Sequence, residues 1–146
     1  MRRALGAPLL LLATLPALAG ELRVSDARTP PPLPGTSMMA GYLTLTNKGD
    51  RPVTVTGATS ATSADFARVS VHRSIEEDGQ SRMEPVPELT VDPGEQAAFE
   101  PGGLHLMLFE PADKPEPGDA MNVTLQTDTG TLDVVLQVID RSELLR

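Results

Sequence analysis

Residues 101–108 have the sequence Pro-Gly-Gly-Leu-His-Leu-Met-Leu, and this stretch decides the class of fold. After the Pro-Gly-Gly turn, leucine alternates with His105 and Met107, and such period-two alternation is typical of a β-strand with one face towards a core. The three leucines therefore face the core, while His105 and Met107 share the opposite face and are expected to point outwards together. An imidazole and a thioether side by side on a non-core face indicate a specific role for that face.

The same alternation recurs on both sides of this stretch. Short strands are predicted at residues 22–25, 42–46, 53–56, 69–72, 121–126 and 132–139. Many closely spaced strands, separated by Gly, Pro and Asn, indicate an all-β sandwich or barrel. No internal repeat or domain boundary interrupts the pattern, so we expect a single β domain over residues 20–146.

Residues 69–86 predict a hairpin, because Asp-Gly at positions 78–79 is a strong two-residue turn signal. Closing the hairpin at this turn pairs Ser74 with Met83. His72 and Met83 are then diagonal neighbours on one face, with their Cα atoms about 7–8 Å apart. This inference depends on the register, since a slip of one residue would place the two side chains on opposite faces.

The chain has two histidines, and each has a methionine partner on the face predicted for it. Thioether sulfur is a soft ligand that selects Cu(I), and imidazole suits copper in general. Taken singly, a histidine on a strand is more often a polar surface residue, and a methionine is more often core filler. The pairing of both histidines with methionines favours a Cu(I) site with the candidate ligands His72, Met83, His105 and Met107.

Composition and charge exclude several classes of protein. The 146 residues include 20 acidic and 12 basic residues, and the net charge of −8 argues against nucleic-acid binding because a polyanion would be repelled. The chain has no cysteine, which excludes disulfides, thiolate-ligated zinc and a blue-copper centre. No nucleophile elbow of a hydrolase is present, and we therefore expect no enzyme activity.

Residues 1–19 have the pattern of a secretory signal peptide. Two arginines precede a mostly apolar stretch over residues 9–18, and Ala-Leu-Ala at 17–19 has the small-x-small form of a cleavage site. We therefore expect cleavage after Ala19 and a periplasmic location. A membrane anchor is the alternative, but the apolar stretch is short and contains prolines, whereas a span needs about 20 apolar residues. No cysteine follows the stretch, so we expect no lipoprotein anchor.

Two proline-rich segments, residues 29–37 and 111–118, are expected to be surface loops, because proline has no N–H to donate to a strand ladder. Simple connection between strands is the favoured interpretation of both. The first segment ends at Met38 and Met39, two soft side chains that could lie over a site. Whether Met38, Met39 or Met121 approaches the metal stays open.

The spacing of the four candidate ligands is the H-x10-M-x21-H-x-M signature of the periplasmic copper chaperones called PCuAC, and the chain resembles that family. Residues 41–47, Gly-Tyr-Leu-Thr-Leu-Thr-Asn, are similar to the family's Tyr-x-x-x-x-Asn strand. Residues 99–108 resemble its Pro-Gly-Gly-x-His-x-Met-Leu block. The resemblance covers about residues 22–139.

The resemblance implies a cupredoxin-like β-sandwich or barrel with a protruding hairpin, and a surface Cu(I) site formed by the same four residues. It also implies an exported chaperone that delivers copper to the binuclear copper centre of cytochrome c oxidase, through subunit II of the oxidase, a Sco-type copper protein, or both. No membrane insertion of the mature chain is expected. Two other classes stay open: a copper sequestration or tolerance protein without a dedicated acceptor, and an exported interaction module in which the motif is incidental.

Overall fold

The structure is a computed structural model that describes residues 21–62 and 65–146. Ten strands and one short C-terminal 3-10 helix, Arg141–Leu145, form within these residues. The strands are β1 (Leu22–Thr29), β2 (Met38–Asn47), β3 (Val53–Ser60), β4 (Phe66–Glu77), β5 (Gln80–Pro85), β6 (Leu89–Val91), β7 (Gln96–Phe99), β8 (Leu104–Pro111), β9 (Ala120–Thr127) and β10 (Gly130–Val138). The predicted signal peptide, residues 1–19, lies outside the described residues.

All ten strands belong to one hydrogen-bonded sheet, in the order β5-β4-β8-β7-β2-β1-β10-β9-β3-β6, and β2 also pairs directly with β8. Strands from opposite ends of this order contribute to one hydrophobic core, for example Val71 of β4 and Val91 of β6. The sheet therefore curls around its core. In the described part of the chain, no helix has the length and apolar character that a membrane crossing needs.

Alternation along the strands decides which side chains enter the core. Leu106 and Leu108 of β8 are fully buried, as the period-two pattern predicts. In β9, Met121, Val123 and Leu125 are buried while the residues between them are more exposed. The all-β class predicted from the sequence is thus confirmed, and Met121 is a core residue.

The hairpin of β4 and β5 has the register predicted from its turn. Asp78 and Gly79 both adopt positive φ, 53° and 76°, as the type I′ turn that matches the twist of the flanking strands requires. Ser74 pairs with Met83 in this register. The diagonal arrangement of His72 and Met83 on one face is therefore present.

Asn47, at the end of β2, is a buried polar residue with a structural role. Its Nδ2 donates to the carbonyl oxygens of Arg51 at 2.7 Å and Val91 at 2.9 Å, and its Oδ1 accepts from the amide of Gly49 at 2.9 Å. These bonds hold the turn after β2 against β6. Asn47 is the last residue of the Tyr-x-x-x-x-Asn strand, and the structure explains why an amide side chain fits this position.

Candidate metal centre

The four candidate ligands lie on one face of three adjacent strands, β5, β4 and β8. His72 of β4 pairs directly with His105 of β8, and directly paired residues of antiparallel strands project to the same side. Met107 lies two residues beyond His105 on the same strand and hence on the same face. Met83 of β5 reaches this face as the diagonal neighbour of His72. The fold thus brings together four side chains from two segments distant in sequence.

The two imidazoles stack across the β4–β8 pair, with ring centroids 6.2 Å apart and planes inclined by 22°. His105 donates from Nδ1 to the carbonyl oxygen of Gly103 at 3.0 Å, and Nδ1 of His72 lies 3.2 Å from the hydroxyl of Ser70. Metal-binding histidines typically donate one ring N–H to such a group, which orients the ring and leaves the other nitrogen for the metal. In both histidines, Nε2 is the nitrogen that remains.

Nε2 of His105 is a buried atom without a hydrogen-bond partner, and no other buried side-chain nitrogen or oxygen of residues 21–62 and 65–146 shares this state. The residue is only 4 % exposed. An unpaired buried polar group costs about 1–3 kcal/mol, and native structures seldom retain one without a reason. A metal ion on Nε2 would supply the missing partner.

A cavity of about 210 Å³ opens on this face. Met83, His105 and Met107 line it, together with Met38 at the start of β2 and residues of the proline-rich loop. No carboxylate of the described residues takes part in the lining, and Arg141 brings a positive charge to it. Hard divalent cations such as Ca²⁺ and Mg²⁺ prefer oxygen ligands, so this lining suits a soft ion better.

Residues of the proline-rich loop line the cavity on this face, and His105 lies on the non-core face as expected but is buried there rather than exposed. The hydroxyl of Thr29 donates to a β2 carbonyl at 2.8 Å and holds the start of the loop. The guanidinium of Arg141 donates to the carbonyl of Pro31 at 2.6 Å and holds its middle. His105 is buried beside the loop, whereas Met83 on the hairpin is 58 % exposed. His105 of β8 is thus the buried part of the site, and Met83 of β5 is an exposed part.

The surroundings of His72 favour its neutral form. Desolvation by burial, with smaller contributions from the charges of His105 and Arg68, lowers the pKa of His72 below its ordinary value of 6.5. Arg68 is held 4.0 Å over the ring of Phe109, at the far end of the same face. Because only the neutral imidazole binds a metal, the lowered pKa keeps His72 ready to bind at neutral pH.

The ion pairs of the hairpin lie away from the candidate ligands. Arg82 contacts Glu77 at 3.0 Å and Glu84 at 2.8 Å. Arg82 and Glu84 are the neighbours of Met83 along β5, and successive side chains of a strand alternate between faces. The face that carries Met83 is therefore free of these charges.

Within the two described ranges, no three His, Cys, Asp or Glu side chains come together as metal ligands. Besides the two imidazoles, this face carries the thioethers of Met83 and Met107. Ordinary zinc sites use nitrogen, oxygen and thiolate ligands, so this set of side chains differs from them.

Two groups that orient the histidines are absent from the sequence-based prediction. The Ser70 hydroxyl has a visible signal, because residues two apart on a strand share a face and Ser-x-His at 70–72 brings the two side chains together. The carbonyl of Gly103 has no such signal, because it belongs to the backbone of the turn before β8. In each case the partner lies two residues before the histidine.

The three further methionines of the described residues differ in their relation to the site. Met38 is 45 % exposed and lines the cavity with Met83, His105 and Met107, whereas His72 is not among the lining residues. Met39 is 4 % exposed and packs into the core, although it also borders the cavity. Met121 borders a different cavity, beside Asp65 and Asp119.

The chain matches one sequence family over residues 22–138, described as "Putative lipoprotein LpqE-like". No curated protein matches the chain.

Solved structures share the fold. The copper-bound PCuAC domain from PmoF2 has a TM-score of 0.67 at 23 % identity, covering 83 % of this chain and 94 % of that chain. Apo-DR1885 from Deinococcus radiodurans has a TM-score of 0.63 at 28 % identity, covering 98 % and 93 %. Cu(I)-bound DR1885 from the same organism has a TM-score of 0.62 at 28 % identity, covering 79 % and 76 %. The cupredoxin-like fold and the resemblance to PCuAC domains expected from the sequence are confirmed.

Proposed function

The chain belongs to the LpqE-like family, and from this premise we propose that it is an exported copper chaperone that binds one Cu(I) ion through His72, Met83, His105 and Met107. The observation that carries the proposal is Nε2 of His105, a buried nitrogen without a partner in a residue that lines one cavity with Met83 and Met107. A bound ion that the neighbouring thioethers also coordinate would supply the missing partner of this nitrogen.

The donor set supports Cu(I) as the cargo. Two thioethers are soft ligands that favour Cu(I) over Cu(II), and the absence of carboxylates from the described lining removes the usual attraction for hard divalent ions. The copper-bound PmoF2 domain and Cu(I)-bound DR1885 are structural relatives with the same kind of cargo. Ag(I), a soft monovalent ion, is expected to compete well with Cu(I), and Zn(II) poorly.

The unequal exposure of the candidate ligands supports a copper chaperone rather than an enzyme or a copper-storage protein. His105 is buried and would hold the ion within the face, while Met83 on the hairpin is exposed and accessible to an incoming protein. An acceptor can thus replace the exposed thioether first, and the ion passes on by ligand exchange without release into water. This exchange is the only chemistry that we assign, and we propose no enzymatic reaction.

The finer parts of the proposal rest on the sequence. We propose that residues 1–19 are a signal peptide cleaved after Ala19, and that residues 20–146 form the periplasmic copper-binding domain. The family description as a lipoprotein is consistent with export. The proposed acceptor is the binuclear copper centre of cytochrome c oxidase, through subunit II, a Sco-type copper protein, or both, and this part rests on the resemblance to PCuAC.

Native mass spectrometry of the reduced, copper-loaded protein tests metal binding. We expect one copper per chain in the wild type and none in the double variant His72→Leu/His105→Leu. Competition with Ag(I) and Zn(II) at equal concentrations then tests the donor set. Displacement of Cu(I) by Zn(II) would show that the thioethers are not ligands.

A deletion strain tests delivery. If the chain supplies the oxidase, its loss lowers cytochrome c oxidase activity at limiting copper, and the wild-type gene restores it, whereas the His72→Leu/His105→Leu gene does not. Sequestration predicts the opposite pattern, with unchanged oxidase activity and lower tolerance of excess copper. The two functions are thus separated in one strain.

A further inference from the structure

The exposed methionines of the described residues are Met38 and Met83, and both line the same cavity. Met107 is half-buried on the same face, while Met39 and Met121 are buried in the core. Single exposed apolar side chains are ordinary features of protein surfaces. Two flexible thioethers that line one cavity together with His105, whose Nε2 is unpaired, are a more specific arrangement.

Met38 and Met83 lie on strands that pair with the two site strands from opposite sides. Strands β4 and β8 carry the two histidines and Met107, β5 pairs with β4, and β2 pairs with β8 over residues 106–109. Met83 of β5 is diagonal to His72, and Met38 of β2 is diagonal to Met107 because it pairs with Phe109. Diagonal neighbours have Cα atoms about 7–8 Å apart, within reach of long side chains.

Met39 shows that this placement depends on the alternation of β2. Met39 pairs with Leu108, a core residue, and is itself 4 % exposed. Met38 pairs with Phe109 on the opposite face and is 45 % exposed. Adjacent residues of the same type thus have different surroundings, which makes each a control for the other.

We propose that Met38 is a fifth thioether donor, which binds Cu(I) transiently while the ion enters or leaves the site. The inference rests on the proposed function, because it assumes that Cu(I) is held by the two histidines, Met83 and Met107. Those four ligands complete the coordination without Met38, so Met38 is not needed at equilibrium. During transfer, one Cu–S bond to Met38 forms as a bond to a departing ligand breaks, and the ion remains Cu(I) throughout.

The burial of His105 is the reason why such a donor is useful. His105 is buried in a cavity that residues of the proline-rich loop also line, so an acceptor reaches the ion from the exposed rim. A thioether at the rim keeps the ion coordinated while a resident ligand dissociates. The loss of Met38 then raises the barrier for binding and for release by the same amount, which changes the rates but not the affinity.

Stopped-flow transfer of Cu(I) from the purified protein to a chromophoric Cu(I) chelator tests this inference, with equilibrium competition on the same samples. Met38→Leu keeps the apolar volume and removes the sulfur, a type of swap that seldom disturbs folding. We expect its transfer rate to fall at least about fivefold while its affinity stays within about twofold of the wild type. Met39→Leu is the matched control and should leave both quantities unchanged.

Two results would overturn the inference while leaving the proposed function intact. If Met38→Leu transfers Cu(I) at the wild-type rate, Met38 has no part in exchange. If its affinity falls as far as that of Met83→Leu, Met38 is a permanent ligand instead. Failure of the wild type to bind Cu(I) would be a different outcome, since it would remove the proposed function itself.

Discussion

Asn47 and His105 are both buried polar side chains on strands, and their hydrogen bonds differ in one respect. Asn47 is fully buried and uses both ends of its amide, with two bonds donated and one accepted. His105 is 4 % exposed and uses only one of its two ring nitrogens. Both residues belong to stretches that resemble PCuAC motifs, so their motifs alone do not separate their roles.

The difference shows how a structural polar residue can be told from a functional one. A fully bonded amide compensates for its own burial and for that of the backbone groups that it contacts. A buried imidazole with an unpaired nitrogen lowers the stability of the metal-free protein, and a bound metal would remove this destabilisation. Asn47 is therefore expected to govern stability, and His105 to govern copper affinity.

Asn47→Ala is expected to have the largest effect, and the effect is on folding. The change removes a buried bond to the carbonyl of Val91 and two part-buried bonds, to the carbonyl of Arg51 and from the amide of Gly49, and an unsatisfied buried group costs about 1–3 kcal/mol. We expect the free energy of unfolding to fall by about 3 kcal/mol in chemical denaturation. Cu(I) affinity of the folded variant should stay within about twofold of the wild type. A large loss of affinity in folded protein would contradict the division between the two regions.

His105→Leu is expected to lower Cu(I) affinity and to leave the free energy of unfolding nearly unchanged, the reverse of Asn47→Ala. Removal of one of four ligands should lower Cu(I) affinity at least about a hundredfold, or about 2.7 kcal/mol, in competition with a Cu(I) chelator. Replacing a partly bonded polar side chain by an apolar one can be nearly neutral for stability. The carbonyl of Gly103 keeps a partner, because it also accepts from the amide of Ser74 at 3.1 Å. Destabilisation comparable to that of Asn47→Ala would show that His105 is a structural residue.

Where the sequence alternates between apolar and polar residues, the strand, its buried face and the adjacent turn could be predicted. The leucines of β8 and the register of the β4–β5 hairpin belong to this class, because alternation and an Asp-Gly turn are local signals. The same local signals place His72, Met83, His105 and Met107 on the faces where the structure has them. Their convergence on one patch depends on the pairing of β4 with β8, which is long-range.

Short strands and covering loops could not be predicted in this way. Strand β6 has only three residues, too few for a period to be visible, and β7, Gln-Ala-Ala-Phe, has no alternation of polar and apolar residues. Pro31 and Arg141 line the cavity that His105 also lines, and the hydrogen bond between them joins residues 110 positions apart. Neither residue carries a local signal that places it beside β8.

Met83→Leu and Met107→Leu are expected to have an intermediate effect, confined to copper. Each change keeps apolar volume and removes one sulfur, so the cost in stability should stay below about 1.5 kcal/mol. We expect each variant to lose at least about tenfold in Cu(I) affinity, or about 1.4 kcal/mol. Met121→Leu is the control, because Met121 is buried in the core and lies outside the cavity with the candidate ligands. Wild-type affinity in both Met83→Leu and Met107→Leu would exclude a thioether site.

The smallest expected effect is that of mild acid, and its sign follows from the pKa of His72. Burial, together with the charges of His105 and Arg68, places this pKa below 6.5. At pH 6.5, therefore, less than half of His72 is protonated, and proton competition at His72 lowers Cu(I) affinity by less than about twofold relative to pH 7.5. Below that pH the competition increases towards about tenfold per pH unit for each ligand that must lose a proton.

The lowered pKa of His72 also leads to a prediction for the metal-free protein. The amide of Asn47 does not titrate, whereas the imidazole of His72 does, so the contribution of His72 to stability depends on pH. Because the folded form has the lower pKa, the unfolded chain takes up the proton first as the pH falls. The contribution of His72 to stability is thus fully present above pH 6.5 and is lost in acid. An NMR titration of the His72 ring in the apoprotein should give a midpoint below 6.5. A midpoint above 6.5 would show that this imidazole is hydrated, and copper affinity would then already fall between pH 7.5 and 6.5.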